Sequence, residues 1–568
     1  MRPAAFLVAL LAASPALAEA DPLVRLSEAY RTRDAAAAAA IYTFDASVAY
    51  RYDGAAPEQH IGTAAIAQSF GQLFSQIEPA DPIDLNFRLT ERTARLAVGY
   101  YRLQIGNGDA AYGKFAVTFS ADGRLASDTS TSATLSDFER APGPVLVRPD
   151  DENLDRRYYA QMTGRYRLAD GCTLIVTRSV ARLFLRNSCT GEWRGLNRVA
   201  GREWTAGDKV RSDTVRQTIS FPGEGRSQTM VIAEAGRQVT VPRADAYRTE
   251  DIAFQSADGT QLRGTIYLPT GADSQTRRAA TVMVHGSGPQ DRDGYASIIA
   301  VMADELAANG RIVLTFDKRG SGGSAGDGNR AGFDTLAEDA LAGMRALAAR
   351  GDVDPEKIGI AGSSQAGWVA AHAVHQNSAV ADVLLLGAAG SAMTVIEQNL
   401  YNTQVRMGCA GIAPEDIDLA LDQQRAFFAF LADPPKASAL DDLTRQARLR
   451  PGLSEWLFPD SASTDRSGGE WFTVLDPFFD PRPIWREFAG PKLFLFSQYD
   501  DSTPSKVAIG RSRQDGAQLR FLSGAQHLGL TASGVCAGEL ADVAAFSPDL
   551  FPEIARFAAA AREAEPAR

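Results

Sequence analysis

The chain has 568 residues, a net charge of −11, 45% hydrophobic residues and 22% charged ones. That length is enough for several domains and at least one large core, and the acidic balance argues against nucleic acid or an anionic membrane surface as a partner. Beyond the first residues, no stretch approaches the roughly 20 apolar residues of a membrane-spanning helix.

The chain opens on MRPAAFLVALLAASPALA. One basic residue, a short apolar core and a closing Ala-Leu-Ala read as a secretory signal over residues 1–18, so an exported protein, periplasmic or extracellular, is expected from about Glu19 onward. Residues 22–140 are expected to open with an Ala-rich helix from Ser27 to Tyr42. They continue through HIGTAAIAQSFGQLFSQI to alternating runs such as ARLAVGYYRLQIG and AYGKFAVTFSADGRL. Helices followed by a bent antiparallel sheet, with the IGTAAIAQSF helix and the closing GKFAVTFSADGRL hairpin, resemble the NTF2-like (SnoaL-like) α+β cone.

Pro142-Gly143-Pro144 and the acidic stretch Asp150–Asp155 read as a linker. Short alternating runs then dominate residues 150–247, including CTLIVTRS, ARLFLRNS and TGEWRGLNRV, which suit a small all-β barrel or sandwich. Cys172 and Cys189 bracket two of these runs around a turn near Ser179–Ala181, and a hairpin there sets the two sulfurs opposite each other. An oxidising compartment lets them bond. Cys409 and Cys536 are the remaining pair by elimination, with two buried free thiols as the alternative.

From Ile252 the pattern becomes strands alternating with helices, the mark of a parallel α/β sheet, so residues 248–568 are read as one catalytic domain. TVMVHGSG, RIVLTFDKRG, KIGIAGSS, ADVLLLGAAG and PKLFLFSQYD are its strands. A helical, aromatic-rich insertion at about 391–485, expected to form a lid, separates the last two.

KIGIAGSSQAGWVA has the form of a strand, a sharp turn and a helix that presents a catalytic serine. Such a turn brings helix backbone close to the strand, so the positions two before and two after the serine must be small. Ser364 has Gly362 and Ala366 there, whereas Ser363 would place Gln365 at the crossing. Ser364 is therefore the candidate nucleophile, although Ala366 stands where G-x-S-x-G has its second glycine. A serine hydroxyl needs a histidine base held by a carboxylate, and the chain order in this architecture is serine, acid, histidine. His527, in the loop SGAQHLGL after the final strand QLRFL, is the histidine that satisfies this order. His372 and His375 sit on the helix that Ser364 opens and are read as surface residues. Asp500 comes directly off PKLFLFSQYD and is the preferred acid, with its neighbour Asp501 as the alternative. The expected oxyanion donors are the backbone N–H groups of Gln365 and Ser287, the latter in the Gly-rich loop HGSGPQDRDG.

Together HGSGPQDRDG, FDKRGSGGS and GSSQAGW resemble the α/β-hydrolase superfamily, and within it the EstD-type bacterial serine esterases. Those proteins have G-H-S-Q-G-G, so Ser363 replaces their histidine. The resemblance implies a doubly wound, mostly parallel sheet and hydrolysis of a small-molecule carboxylic ester through an acyl-enzyme, with no metal or cofactor. Asp317 and Arg319 are read as structural. A serine peptidase of the prolyl-oligopeptidase type would use the same triad, but such enzymes usually carry a propeller and no blade repeat precedes this domain. A ligand-binding protein with a vestigial hydrolase domain is the remaining alternative. The sequence leaves the oligomeric state open.

Overall fold

The computed structural model describes residues 21–563 except 53–56, 78–80, 82, 94, 106–110, 135–136, 139–144, 147–158, 180–181, 201, 211, 213, 272–276, 378, 462–475 and 538–539. The signal-like segment, the Pro-Gly-Pro and acidic linker and the tip of the cysteine hairpin lie outside the described residues. The chain divides into two compact units, one ending at Arg157 and one beginning at Tyr158.

In the first unit, two helices stand where the sequence suggested one from Ser27 to Tyr42. Pro22–Thr32 ends at Arg33 in the left-handed conformation (φ 54°), and Asp34 restarts the chain by accepting from the Ala37 N–H at the head of Ala35–Ala40. Such a carboxylate cap satisfies a backbone donor that the first helical turn leaves unpaired, and alanine periodicity alone does not reveal the break. Tyr42 then begins a strand, Tyr42–Arg51, in a seven-stranded sheet packed on the helix Thr63–Ser75 through Ile66, Phe70 and Phe74.

The second unit starts with eight antiparallel strands in simple meander order, from Gly164–Arg167 to Arg237–Pro242. An antiparallel bridge between Tyr166 and Arg243 joins the first strand to the residue just past the last. Alternating inward residues, among them Tyr166, Trp204, Phe221 and Met230, form its core.

The remaining sheet is the frame of the site. Its strands, numbered here in chain order, are β1 (Tyr247–Gln255), β2 (Gln261–Pro269), β3 (Arg278–Val284), β4 (Ile312–Phe316), β5 (Val353–Ser363), β6 (Val383–Leu386), β7 (Lys492–Ser497) and β8 (Gln518–Leu522). They lie in the order β1-β2-β4-β3-β5-β6-β7-β8. Pairing is antiparallel from β1 through β2 to β4 and parallel from there to β8. The antiparallel pair β1 and β2 is absent from the strands expected from sequence. Its burial alternates, so it lacks the continuous apolar runs of β4, β6 and β7, which are buried on both faces.

Helices α1 (Ile298–Ala308), α2 (Phe333–Ala348) and α3 (Ala366–Gln376) cover the sheet. Between β6 and β7 come α4 (Val395–Cys409), α5 (Pro414–Ala432), α6 (Ala437–Arg448) and α7 (Arg482–Glu487). A Thr394/Glu397 capping box starts α4 and Pro414 starts α5, two local signals that fix where the insertion becomes helical. Phe427, Phe428 and Leu440 give the insertion a small core of its own. Both cysteine pairs expected from sequence are disulfides, Cys172–Cys189 and Cys409–Cys536.

Candidate active site

Ser364 occupies the turn between β5 and α3 with φ of 57°, a left-handed conformation that is uncommon outside glycine. The crossing is as tight as the small flanking residues imply. A Cβ added at Gly362 would lie 2.3 Å from the Val284 carbonyl oxygen and 2.5 Å from the Ala366 Cβ. Neighbouring Ser363 is buried at the end of the strand, while Ser364 is partly accessible.

The structure brings three of the residues singled out from sequence into one hydrogen-bonded row. His527 Nε2 is 2.9 Å from Ser364 Oγ, and His527 Nδ1 is 2.9 Å from Asp500 Oδ1. Asp500 is 2% exposed, and its Oδ1 also accepts from the backbone N–H groups of Ser502 and Thr503 at 2.9 and 2.7 Å. Asp501 turns outward instead, to Arg406 at 3.3 Å and to the Ser502 hydroxyl at 3.0 Å. Burial of the imidazole works against its positive charge, but the Asp500 carboxylate, the hydrogen bond to it and the charge of Asp501 together prevail. The His527 pKa therefore lies above its ordinary value. Gly387, at the end of β6 with φ of 57°, makes room for this row: a Cβ there would meet the His527 carbonyl oxygen at 2.3 Å.

Ser287 and Gln365 line the same pocket as Ser364 and His527, which opens to solvent. Among the described residues, neither backbone N–H donates to a protein acceptor. The remaining wall is largely apolar, with Phe333 and Trp368 stacked at 5.6 Å, together with Ala389 and Val395. Gln398 and Thr503 are its other polar side chains. No Asp, Glu, Lys or Arg is among these lining residues, and among the described residues no group of three or more His, Cys, Asp and Glu side chains could hold a metal ion.

Several residues that shape the site were not singled out from the sequence, although Lys318 lies within the run FDKRGSGGS. Helix α4 runs along the loop that bears Asp500. Gln398 Nε2 donates to the Ser502 carbonyl at 2.9 Å, Tyr401 Oη to that of Asp500 at 2.8 Å and Asn402 Nδ2 to that of Asp501 at 3.0 Å. Their spacing of three to four residues places them on one helical face, a signal that needs knowledge of the opposing loop to be read. Lys318, just past β4, is buried and donates to the Gly286 and Gly288 carbonyls and to Gln365 Oε1. Its neighbours have structural roles, as expected: Asp317 pairs with Arg292 at 2.6 Å and Arg319 with Asp339 at 2.6 Å. His372 departs from the surface reading, since it is half-buried and stacks on Phe479 at 3.8 Å, whereas His375 is exposed.

The all-β sheet reaches two of these loops. Arg178 donates to Asp291 at 2.6 Å and Asp293 at 2.8 Å, beyond the HGSG turn. On the other side, the Trp193 N–H donates to the Ala544 carbonyl at 2.7 Å and the Phe546 N–H to the Gly191 carbonyl at 3.0 Å. The same short segment meets the histidine loop, where the Thr531 N–H donates to the Ala545 carbonyl at 2.9 Å.

Residues 281–539 match the family model described as "Alpha/beta hydrolase family". An uncharacterized protein of Mycobacterium tuberculosis strain H37Rv is 34% identical over 170 residues, 30% of this chain and 52% of that protein. The chain thus spans about half the length of the curated relatives it matches. Among solved structures, Est1E from Butyrivibrio proteoclasticus is 14% identical with a TM-score of 0.35, covering 55% of this chain and 99% of its own. The Pyrococcus furiosus esterase Pf2001 is 15% identical with a TM-score of 0.32, covering 50% and 83%.

Proposed function

We propose that this protein is a serine hydrolase that cleaves carboxylic esters through an acyl-enzyme on Ser364. The observation that carries the reading is the continuous row from Ser364 Oγ through His527 to buried Asp500, with each step at 2.9 Å. His527 takes the serine proton as Oγ attacks the ester carbonyl and returns it to the departing alcohol. A water then attacks the acyl-enzyme with the same base. Asp500 holds the ring with Nδ1 protonated, which leaves Nε2 free to accept the serine proton. The Ser287 and Gln365 N–H groups receive the negative charge that develops on the carbonyl oxygen.

The lining, which mixes polar and apolar side chains and among the described residues includes no Asp or Glu, favours a neutral ester over an aminopeptidase substrate, whose ammonium needs a carboxylate. Helix α4, which supplies Val395 and Gln398, forms part of the expected lid. The first unit is read as an NTF2-like domain and residues 158–246 as an accessory barrel. Export to an oxidising compartment is supported by the two disulfides. Among the described residues no helix is long and apolar enough to cross a membrane.

Labelling with a fluorophosphonate, together with rates on esters of graded acyl length and on aminoacyl amides, tests the reading. Labelling at Ser364 and faster turnover of short uncharged esters are expected. A Ser364→Ala protein that still hydrolyses esters at the wild-type rate overturns it.

A further inference from the structure

We propose that Lys318 is a positioning residue that fixes both halves of the oxyanion site, by holding the Gly286 and Gly288 carbonyls on one side and the Gln365 side chain on the other. This rests on the serine-hydrolase reading above and adds a residue that no motif of the nucleophile, acid or base contains.

The geometry is a three-way bridge. Lys318 Nζ is 3.0 Å from the Gly286 oxygen, 3.0 Å from the Gly288 oxygen and 2.8 Å from Gln365 Oε1. An ammonium has three N–H donors and no acceptor, so these contacts use its full capacity. The peptide plane carries the consequence. A trans peptide fixes its C=O and the following N–H in opposite directions, so drawing the Gly286 carbonyl toward the ammonium turns the Ser287 N–H away from it. Gln290 treats the next plane alike, since its Nε2 donates to the Ser287 carbonyl at 2.7 Å. The turn lies against the nucleophile, and a Cβ at Gly286 would stand 3.6 Å from that of Ser364. On the far side, Gln365 is the residue whose backbone N–H is the second donor. One buried cation therefore ties the two oxyanion donors to a common point.

That point is itself immobilised. Lys318 follows Asp317, which accepts from Arg292 on both carboxylate oxygens and from the Arg292 and Gly323 N–H groups. The Lys318 N–H donates to the Gln290 carbonyl at 3.1 Å. Burying an ammonium against neutral acceptors is costly. Burial pushes the Lys318 pKa down to about 7, against the charge of Asp339, which favours the protonated form. A methionine of similar length would fill the space without that cost, but it would leave all three acceptors without this donor.

The test compares full-length wild type with Lys318→Met on a short p-nitrophenyl ester and with a trifluoromethyl ketone, whose serine adduct carries the oxyanion. Rates are normalised to sites titrated by a fluorophosphonate, which removes any unfolded fraction. The expected result is a kcat about 100-fold lower per titrated site, in the range seen on removing an oxyanion donor. KM should stay within about threefold, and ketone affinity should fall by about the same factor as kcat. A merely structural lysine would lower the titratable fraction and leave these per-site values unchanged, which overturns the proposal. Should Lys318→Met not fold, Gln365→Met breaks the bridge at its other end, and a parallel loss of kcat and ketone affinity of about tenfold is expected. Unchanged values there overturn the proposal as well. Failure of the hydrolase reading looks different: wild type itself is then neither labelled nor active, and the Lys318 assignment falls with it.

Discussion

Tyr401 donates its hydroxyl to the backbone carbonyl of Asp500 at 2.8 Å, so the helix that walls the pocket also holds the loop that bears the proposed acid. Asp500 must stay within hydrogen-bond reach of His527 while its own carboxylate is buried, and the bonds from Gln398, Tyr401 and Asn402 restrain three successive carbonyls of its loop. Tyr401→Phe removes one such bond without leaving a cavity. A net hydrogen bond of roughly 1 kcal/mol corresponds to about a fivefold change in rate if its loss is felt at the base. Steady-state kinetics should show kcat lowered by about that factor with KM nearly constant. Asp500→Asn should cost on the order of 10⁴, as in the serine-protease precedent of a misheld tautomer. Asp501→Asn should cost only a few-fold, and the reverse ranking would transfer the acid's role to Asp501.

The two adjacent serines provide a sharper comparison. Ser364→Ala should abolish ester turnover, because the hydroxyl that faces His527 Nε2 is gone. Ser363→Ala, at a buried position ending β5, should retain most of it. Thermal melting checks that both variants are folded. An inactive Ser363→Ala protein beside an active Ser364→Ala protein would contradict the assignment of the turn.

The pH dependence follows from the raised pKa of His527. Only the neutral imidazole accepts the serine proton, so kcat/KM should rise with pH through an ionisation above the ordinary histidine value of about 6.5. The residual activity of Asp500→Asn should show that ionisation at lower pH, since the charge that favours the imidazolium has been removed. The same shift has a stability sign. The protonated His527–Asp500 pair contributes fully below the unfolded pKa of histidine, and its contribution is lost as pH rises through the folded value. A pH–rate profile whose midpoint does not move in Asp500→Asn would break this link.

How much of this was legible in the sequence depended on how local the cause was. The turn around Ser364 is dictated by residues within two positions of it, and the parallel strands announce themselves as apolar runs. The break at Arg33 and Asp34 is also local, but it hides inside an alanine-rich stretch whose composition favours helix throughout. Strands β1 and β2 are half-exposed and antiparallel, so they lack the continuous apolar runs by which the parallel strands were recognised. The roles of Lys318, Tyr401 and Arg178 were hidden for another reason. Each acts through backbone carbonyls or carboxylates on a distant segment, and only the folded chain says which segment is opposite.

Arg178 shows what that costs to disturb. It is 5% exposed and pairs with Asp291 and Asp293, themselves largely buried. Removing one member of a buried ion pair leaves charge uncompensated, typically at about 3 to 5 kcal/mol. Arg178→Met should therefore lower the unfolding free energy of this unit by an amount of that order in denaturant titration. A change below about 1 kcal/mol would mean that the contact contributes little to joining the all-β sheet to the mixed sheet that bears Ser364.

The disulfides allow a test that separates local from long-range closure. Cys172–Cys189 spans 17 residues and ties the ends of one hairpin, whereas Cys409–Cys536 spans 127 and ties the end of α4 to the segment beyond His527. In the chain-entropy account, closing loops of these lengths stabilises by about 3 and about 5 kcal/mol respectively. The double variant Cys409→Ser/Cys536→Ser should therefore melt at a lower temperature than Cys172→Ser/Cys189→Ser. It should also lose ester hydrolysis at a lower temperature, because one end of its missing bridge lies on the helix that holds the Asp500 loop and the other on the segment that follows the His527 loop. Mild reduction of the wild-type protein, with alkylation and peptide mapping to identify which pair opened, should reproduce that order of inactivation. Equal activity with the long bridge open and closed, up to the melting temperature, would show that α4 holds the Asp500 loop through its side chains alone.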